Sequence, residues 1–255
     1  MDDKLIEQKR YNKVSEEMFS LIENDNLLLR TLGPDNFPLY LQTPYLLYHN
    51  LISKNASSAS NQLDLCCGNG MHSFTGAING ASVIALDYAE KSITICKKRS
   101  ELLNVHVDFQ TADVQVLLFK DNFFDIVTCA GSLSYLDNKI FFEEIFRVLK
   151  KDGIFICVDS FNHNFFYRAN RFFHFLKGNR TYSTLKRMPN EYTIELFKRI
   201  FTEVEVSYHG IFIFLVPILK LFFSDLKIKK IVDQLDNKFP FLKRYAFKVV
   251  ISAKK

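Results

Sequence analysis

The 255-residue sequence contains no tryptophan, few glycines and prolines, and no Cys-x-x-Cys pair. Its five cysteines are scattered over apolar stretches, which argues against a disulfide framework and for reduced thiols. The longest apolar run, Ile211 to Leu219, has nine residues and includes Pro217, whereas a membrane-spanning helix needs about 20. The N-terminus is charged and lacks the apolar core of a signal peptide. We therefore expect a soluble, cytoplasmic protein without a transmembrane segment, for which peripheral membrane contact remains open.

Neither charge nor length points to an unusual class of protein. The formal net charge is +5, with 48% hydrophobic and 24% charged residues, which is ordinary for a globular domain and too mild to imply nucleic-acid binding by itself. No internal repeat is present. A polar tract at 55–61 separates an N-terminal helical segment from the rest. We predict one structural domain, with a helical lid at 1–61 and a core at 62–255.

The most informative stretch is the short apolar run Gln62 to Cys67, which leads into Gly68-Asn69-Gly70. A strand followed by a glycine loop and a helix places free backbone N–H groups against a ligand. A second apolar run, 81–86, ends in Asp87, which is where the acid that binds a ribose diol lies in such units. The spacing predicts a site for a nucleoside-containing cofactor. A nicotinamide dinucleotide fits less well, because Ser73 stands where its fingerprint has the third glycine or alanine.

Strands and helices alternate from this stretch onward. We predict strands at 62–67, 82–87, 105–110, 124–130, 154–158, 204–208 and 245–252, and core helices at 71–78, 89–102, 138–149 and 191–201. Before the core, Thr43 is predicted to cap a helix that starts at Pro44. The alternation predicts an α/β fold with a parallel sheet covered by helices on both faces, and ligands at the carboxyl ends of its strands.

Several spaced motifs together resemble those of class I S-adenosylmethionine (SAM)-dependent methyltransferases. They are Leu63 to Gly70, Asp87, Thr111 to Val114, the strand that starts at Phe124, and the run Phe146 to Gly153 before the fifth strand. The resemblance covers about 62–160 and implies a Rossmann-like, doubly wound, mostly parallel seven-stranded sheet. This chain has Cys66 where the family usually has glycine, which is tolerable if the φ of Cys66 is negative.

The resemblance also implies roles for individual residues toward SAM and its product S-adenosylhomocysteine, with no metal. Asp64, Gly68 and Gly70 would surround the methionine part, Cys66 would bind the cofactor from the same loop, and Asp87 would bind the ribose hydroxyls. Tyr88, Asp113 and Val114 would contact adenine, with Asp113 accepting from its amino group. Ala130 and Gly131 would line the reactive centre, and Tyr11 of the lid would reach the cofactor carboxylate.

The acceptor is indicated by the segments that depart from this pattern. The run Ala130 to Tyr135 lacks the Asn/Asp-Pro-Pro-aromatic pattern of enzymes that methylate nucleobase amines, which favours a small molecule. The segment 161–190, predicted to be an inserted helical cap, contains six basic residues and no acidic one. An apolar stripe of Phe165, Ala169, Phe172 and Leu176 is predicted to bury its helix against the core. Arg168, Arg171, Arg180 and Tyr135 are our candidates for binding an anionic acceptor, and the alternative is a solvated basic face.

Methylation of an alcohol needs a base, for which histidine is suited. His163 follows the fifth strand and is the first candidate, His209 is the second, and His72 lies near the cofactor loop. An ionised acceptor oxygen would need no base. A further apolar and basic stretch at 211–240 is predicted to pack on the protein's own cap, although a membrane surface or a dimer face would also suit it.

The sequence thus predicts a methyltransferase, monomeric or homodimeric, that O-methylates a phosphate-containing or nucleotide-linked sugar. The chain resembles bacterial methyltransferases that modify surface-polysaccharide precursors, such as those of capsule or lipopolysaccharide. Two alternatives remain. In one, the basic cap contacts tRNA or rRNA phosphates. In the other, the chain binds SAM without catalysis.

Overall fold

A computed structural model describes residues 3–19, 25–177 and 181–255 of the chain. Within these residues seven strands form a single sheet, and each strand begins close to where an apolar run was predicted. The strands are β1 (Asn61–Leu65), β2 (Ser82–Asp87), β3 (Asp108–Thr111), β4 (Phe124–Ala130), β5 (Leu149–Ser160), β6 (Glu203–His209) and β7 (Lys248–Lys254).

Helices precede the sheet, connect its strands and form the additions after β5. They are α1 (Asp3–Phe19), α2 (Asp25–Arg30), α3 (Leu39–Asn55), α4 (Phe74–Ile78), α5 (Glu90–Leu103), α6 (Asn138–Val148), α7 (Phe165–Leu176), α8 (Tyr182–Lys186), α9 (Glu191–Ile200), α10 (Val216–Leu219) and α11 (Asp225–Lys238). Short 3₁₀ turns lie at Pro34–Asn36, Leu133–Tyr135, Ile213–Leu215 and Pro240–Tyr245. None of the helices in the described ranges is both long and apolar enough to cross a membrane.

The strand order β3-β2-β1-β4-β5-β7-β6 places the topological switch between β1 and β4. β1 pairs in parallel with both β2 and β4, whereas β7 is antiparallel to β5 and to β6. In open sheets of this kind a ligand binds at the carboxyl ends of the strands next to the switch point. The predicted mostly parallel α/β sheet is therefore observed, and its geometry places the site beside the ends of β1 and β4.

Two apolar layers cover the sheet. On one face the buried side chains of α6 and α9, such as Phe142 and Phe197, pack on β5 and β7. On the other face α3 contributes Tyr48 and Ile52, which pack against Ile156 and Val158 of β5. Burial of this kind contributes about 1.5–3 kcal/mol for each large apolar side chain. The layers therefore fix the strand ends that form the site.

The helix before the core starts earlier than the sequence predicts. Thr43 is not its cap: α3 begins at Leu39, and Pro44 lies inside the helix, where it is buried. Proline inside a helix removes one backbone hydrogen bond, but burial of α3 against β5 compensates for that loss. The fifth strand starts earlier than the predicted residue 154: β5 includes 149–153, where Asp152 has a φ of 64° and the pairing with β4 shifts register.

Candidate active site

A cavity of about 340 Å³ lies at the carboxyl ends of β1, β2 and β4. The loop after β1, the end of β2, the loop after β3 and the loop after β4 line its inner wall, and residues of α1 and α8 line its outer wall. Its size lies within the range of about 300–1,000 Å³ that is usual for small-molecule pockets. The cavity is the candidate cofactor site.

The glycine loop leaves open space where a ligand would lie. Gly68 has a φ of 56° and Gly131 a φ of 73°, and a Cβ on either residue would meet no protein atom within 4 Å. Both residues line the cavity. Glycine is therefore required here by the left-handed backbone and by close approach to the cavity, and not by packing within the protein.

Asp87 closes the loop onto the end of β2. Its Oδ2 accepts a hydrogen bond of 2.7 Å from Gly68 N, and its Oδ1 accepts one of 2.8 Å from Ala89 N. Burial raises the pKa of the Asp87 carboxyl, and the backbone hydrogen bonds oppose that shift. Each carboxylate oxygen has further acceptor capacity, so Asp87, which lines the cavity, fits a ribose diol.

Cys66 adopts the backbone conformation of the glycine that it replaces. Its φ is 56°, so the expectation that Cys66 replaces glycine at a negative φ is wrong. A residue with a Cβ pays about 1–2 kcal/mol for this conformation. Cys66 lines the cavity, and the proximity of its thiol to Cys129 of β4 raises the pKa of Cys129.

Asp64 and Gly70 lie behind the loop and do not line the cavity. Asp64 is buried and accepts hydrogen bonds from Ser73 Oγ at 2.6 Å and from Thr128 Oγ1 at 2.8 Å. Burial raises the pKa of Asp64 to about 6. A Cβ on Gly70 would meet Cys96 Sγ at 3.0 Å. The structure thus gives Asp64 and Gly70 supporting positions, from which they hold the loop against β4 and α5.

The sequence analysis missed Arg99 of α5, which supports the same loop. Its side chain is fully buried, and its Nη1 donates to Asn69 O at 2.7 Å and to Asn69 Oδ1 at 3.1 Å. Burial lowers the pKa of Arg99 to about 10. No carboxylate forms an ion pair with Arg99 among the described residues. No motif marks this arginine in the sequence, because its partners are mainly backbone and hydroxyl oxygens.

The other predicted cofactor residues lie on the cavity wall. They are Tyr88, Asp113, Val114 and Ala130. Asp113 Oδ1 accepts from Gln115 N at 3.0 Å, which fixes the carboxylate at the start of the loop after β3. The positions agree with the predicted roles, which remain predictions.

The lid helix α1 contributes to the cavity wall and is hydrogen-bonded to the segment that follows β2. Gln8 Nε2 donates to Tyr88 O at 3.1 Å, and the hydroxyls of Ser15 and Ser92 lie 2.8 Å apart. The side chain of Tyr11 lies outside the part of the chain that the structure describes. Gln8 and Ser15, which the sequence analysis did not single out, line the cavity in α1.

The outer wall of the cavity comes from α8, which lies within the predicted cap 161–190, although its lining residues were not predicted. It contributes Ser183, Thr184 and the flanking Thr181 and Arg187. The predicted Arg180 lies outside the described residues. Arg187 is therefore the basic residue of the cap that the structure places at the cofactor cavity.

A second, more open cavity of about 540 Å³ lies beneath α7. Its lining contains Arg10, Tyr167, Asn170, Arg171 and His174, and none of its lining residues is acidic. Arg171 Nε donates to Tyr167 OH at 2.6 Å. Arg10 Nη2 donates to Tyr135 OH at 2.9 Å, and Tyr135 lines the first cavity. The Arg10–Tyr135 hydrogen bond thus connects the linings of the two cavities.

Helix α7 exposes the apolar side that was predicted to face the core. Phe165, Phe172 and Leu176 are exposed, and no residue of α7 is buried. Its polar side, with Arg171, faces the second cavity instead. Arg168 is exposed and lines neither cavity, so the two arginines do not form one binding pair. The periodicity identified the stripe correctly but not the direction in which it points.

The two histidines predicted as bases lie outside both cavities. His163 Nε2 accepts from Glu191 N at 3.3 Å, at the start of α9, and burial lowers the pKa of His163. His209 ends β6, the edge strand that β7 separates from β5, and burial lowers its pKa as well. Both assignments are therefore corrected: neither imidazole faces the centre where a methyl group would move.

His72 is the histidine that lines the cofactor cavity. Its Nδ1 lies 2.9 Å from Nε2 of His49, and its ring stacks on Tyr45 with centroids 5.3 Å apart. Burial, followed by neighbouring positive charge, lowers the pKa of His72 to about 3. The imidazole is therefore neutral at physiological pH. No cluster of His, Cys, Asp and Glu that could hold a metal occurs in the residues that the structure describes.

Known proteins with similar sequences are methyltransferases. Residues 63–157 match a family model described as a methyltransferase domain. A demethylmenaquinone methyltransferase of Lactococcus lactis is 34% identical over 103 residues, which are 38% of this chain and 41% of that protein. A ubiquinone biosynthesis O-methyltransferase of Coxiella burnetii is 27% identical over 128 residues, which are 50% of this chain and 54% of that protein. The chain thus spans about half of the length of the curated relatives that it matches.

Among solved structures, phosphoethanolamine N-methyltransferase 2 of Haemonchus contortus has the same fold. It was crystallised with phosphomonomethylethanolamine and S-adenosylhomocysteine, and it superimposes with a TM-score of 0.58 at 17% identity. The match covers 83% of this chain and 52% of that one. The predicted Rossmann-like fold is confirmed. Residues 63–157 are thus similar to a methyltransferase domain, which supports the predicted class of enzyme and SAM as its cofactor.

Proposed function

We propose that this chain transfers a methyl group from SAM to an oxygen of a small anionic acceptor, a phosphate-containing or nucleotide-linked sugar of the kind used for surface polysaccharides. The enzyme would act in the cytoplasm as a monomer or homodimer. In this proposal, the cofactor cavity holds SAM, and the basic cavity beneath α7 holds the anionic group of the acceptor. The activity of the chain and the nature of its acceptor both belong to the proposal.

The observation that carries the acceptor class is the charge of the second cavity. Arg10 and Arg171 line it together with His174, and none of its lining residues is acidic. Guanidinium groups bind phosphate through paired, charge-assisted hydrogen bonds, each worth about 1.5–3 kcal/mol. Because Arg10 also contacts Tyr135 on the cofactor cavity, an anion held by Arg10 would lie beside the loop after β4.

SAM, when bound, supplies an electrophilic methyl group on a sulfonium. The work left to the protein is to align the acceptor oxygen in line with that methyl group and to exclude water. In our proposal, Arg10 and Arg171 hold the anionic group while Tyr135 and Gly131 position the acceptor at the end of β4. His72 lines the same cavity, but its pKa of about 3 makes its neutral imidazole a weak base toward an alcohol. An acceptor oxygen that is already ionised would need no base.

The test uses two arginines of one helix. Arg171→Ala should lower kcat/KM for a phosphate-containing sugar acceptor about tenfold to a hundredfold, because one charge-assisted interaction is lost, and should leave SAM affinity unchanged. Arg168→Ala is the matched control, since Arg168 lies three residues away, is exposed and lines neither cavity. Equal turnover by the two variants would contradict the anionic-acceptor proposal.

A second acceptor class, a hydroxylated quinone-type ring, is favoured by the relatives, which are named for menaquinone and ubiquinone synthesis. A panel of sugar phosphates, nucleotide sugars and quinone precursors, each incubated with radiolabelled SAM, would separate the two classes. Methylation of quinone precursors that is insensitive to Arg171→Ala would replace our proposal with this one.

The two remaining alternatives differ in what they bind. An RNA methyltransferase would methylate bulk tRNA or rRNA with steep salt dependence. A protein that binds SAM without catalysis would bind it in calorimetry but methylate no member of the panel. Absence of any heat of binding at millimolar SAM would refute the cofactor assignment and the proposed function together.

A further inference from the structure

Helix α7 exposes its apolar side to solvent. At 100° per residue, Phe165, Phe172 and Leu176 fall within about 40° of one another around the helix axis, and they are 75%, 52% and 63% exposed. The opposite side carries Asn170, Arg171 and His174, which line the cavity beneath. An amphipathic helix on a globular protein normally buries its apolar stripe. In α7 the polar side faces the protein, so its apolar side has no partner within the described chain.

Two contacts join the N-terminal end of α7 to other segments that also expose apolar side chains. Phe166 stacks on Phe214 with ring centroids 5.0 Å apart, and Asn164 donates to the backbone oxygen of Tyr245 at 3.2 Å. Leu221 and Phe222, which follow α10, are 75% and 73% exposed. We call this surface the docking face. It consists of the exposed apolar side chains of α7, of 211–223 and of 239–245: Phe165, Phe166, Phe172, Phe173, Leu176, Phe214, Ile218, Leu221, Phe222, Phe241 and Tyr245.

Exposed cations are interspersed with these side chains, and the three segments contain no acidic residue. The exposed basic residues are Arg168, Lys177, Lys220, Lys243 and Arg244. Asp225 at the start of α11 lies near Lys220, whose pKa is raised mainly by a hydrogen bond to Tyr40 and to a smaller extent by the charge of Asp225. Two further acids of α11 are engaged within the protein: Asp233 pairs with Lys229, and Asp236 accepts from the backbone N–H groups of 210–212. The three segments of the docking face thus combine apolar side chains with basic ones and contain no acidic residue.

We propose that the docking face binds the surface of an anionic lipid bilayer, with its phenylalanine and leucine side chains inserted at the boundary of headgroups and acyl chains. Helices that lie in a membrane interface combine an apolar side with lysine and arginine in this way. The proposal concerns binding alone and does not rest on the proposed methyl transfer. It places the basic cavity beneath α7 next to the membrane surface.

The charge of the docking face favours lipid over a second copy of the chain. A twofold dimer through this face would bring together two copies of the same basic surface, and like charges oppose association. Anionic headgroups complement the same charges. A membrane therefore satisfies both the apolar and the basic parts of the surface.

The test measures cosedimentation of the full chain with vesicles. We expect binding to vesicles of equal parts phosphatidylcholine and phosphatidylglycerol, and weaker binding at high salt or to pure phosphatidylcholine. The double variant Leu221→Ser with Phe222→Ser should lower the partition coefficient at least about tenfold, because two inserting side chains are lost. The matched control is Ile78→Ser with Leu118→Ser, which removes two exposed apolar side chains distant in sequence from the docking face.

The absence of tryptophan offers an independent readout. In Phe222→Trp, emission should shift to the blue and be quenched by brominated lipid when mixed vesicles are added, whereas Leu118→Trp should show neither effect. These variants change exposed positions, so an unchanged melting temperature verifies their fold.

Three results would each overturn the proposal. The first is no binding of the parent chain to mixed vesicles together with no spectral shift in Phe222→Trp. The second is an equal loss of binding in the control variant. The third is a dimer or an RNA complex that shields the introduced indole of Phe222→Trp while vesicles leave its emission unchanged.

Discussion

The half of the molecule around the glycine loop and the half around α7 are held in different ways. In the first, buried polar side chains fix the backbone: Asp64 bridges Ser73 and Thr128, Asp87 receives two backbone N–H groups, and Arg99 grips Asn69. In the second, α7 has no buried residue. The backbone of the cofactor wall is therefore held by contacts within the protein itself. The cap is a thin layer between a basic cavity and an apolar surface.

The largest expected effect tests the polar anchoring of the cofactor half. Burial raises the pKa of Asp64 from an ordinary 3.8 to about 6. The folded state therefore binds this proton more tightly than the unfolded state, so the contribution of Asp64 to stability is fully present below about pH 3.8 and is lost as pH rises through about 6. At about 1.4 kcal/mol per pH unit the total loss is about 3 kcal/mol.

Asp64→Asn removes this ionisation while keeping the shape of the side chain. The free energy of unfolding of the variant relative to that of the parent chain, measured by urea unfolding, should increase by about 2–3 kcal/mol from about pH 4 to about pH 7. The serine and threonine hydroxyls can reverse their roles toward the amide. If the free energies of unfolding of the two proteins changed with pH in parallel, burial would not raise the pKa of Asp64 and the prediction would be wrong.

A somewhat smaller effect compares one arginine from each half. Arg99→Met should destabilise the protein by about 2 kcal/mol, because the hydrogen bonds to Asn69 are lost while the stem is replaced, and should weaken SAM binding since Asn69 lines the cavity. Arg168→Met on α7 should stay within about 0.5 kcal/mol of the parent. Similar losses in both variants, in urea unfolding, would remove the distinction between the two halves.

The sequence predicted the cofactor half well because its signals are local. An apolar run makes a buried strand, and a residue that follows such a strand, such as Asp87 or Asp113, must emerge at the carboxyl edge of the sheet. Arg99 was not predicted, because an arginine in a helix is usually exposed to solvent and only the tertiary structure brings it to Asn69.

The cap was predicted less well, because its sequence pattern does not say which side of a helix faces the core. Periodicity indicates that Phe165, Phe172 and Leu176 share a side of α7, but not whether that side points to the core. His209 follows a correctly predicted strand, but strand order is not encoded locally: β7 inserts between β5 and β6 and moves His209 away from the site. His163 lies near the end of β5, yet there it meets the start of α9 and not the cavity.

The smallest expected effect concerns Cys66, whose left-handed backbone conformation is strained although polar contacts hold the surrounding loop. Cys66→Gly should raise the free energy of unfolding by about 1 kcal/mol, because glycine adopts a φ of 56° without the cost that a Cβ imposes. Part of the gain is offset by the greater freedom of glycine in the unfolded chain. Cys66→Ala is the matched control, since it loses the thiol contact with Cys129 but keeps the strained backbone.

The difference between these two variants isolates the strain from the loss of the thiol. Urea unfolding without cofactor should place Cys66→Gly above the parent and Cys66→Ala below it. If both variants lose stability equally, the thiol pair of Cys66 and Cys129 stabilises the loop and the left-handed backbone costs little. The rigidity of the cofactor half would then depend on sulfur packing across β1 and β4 as well as on its polar anchors.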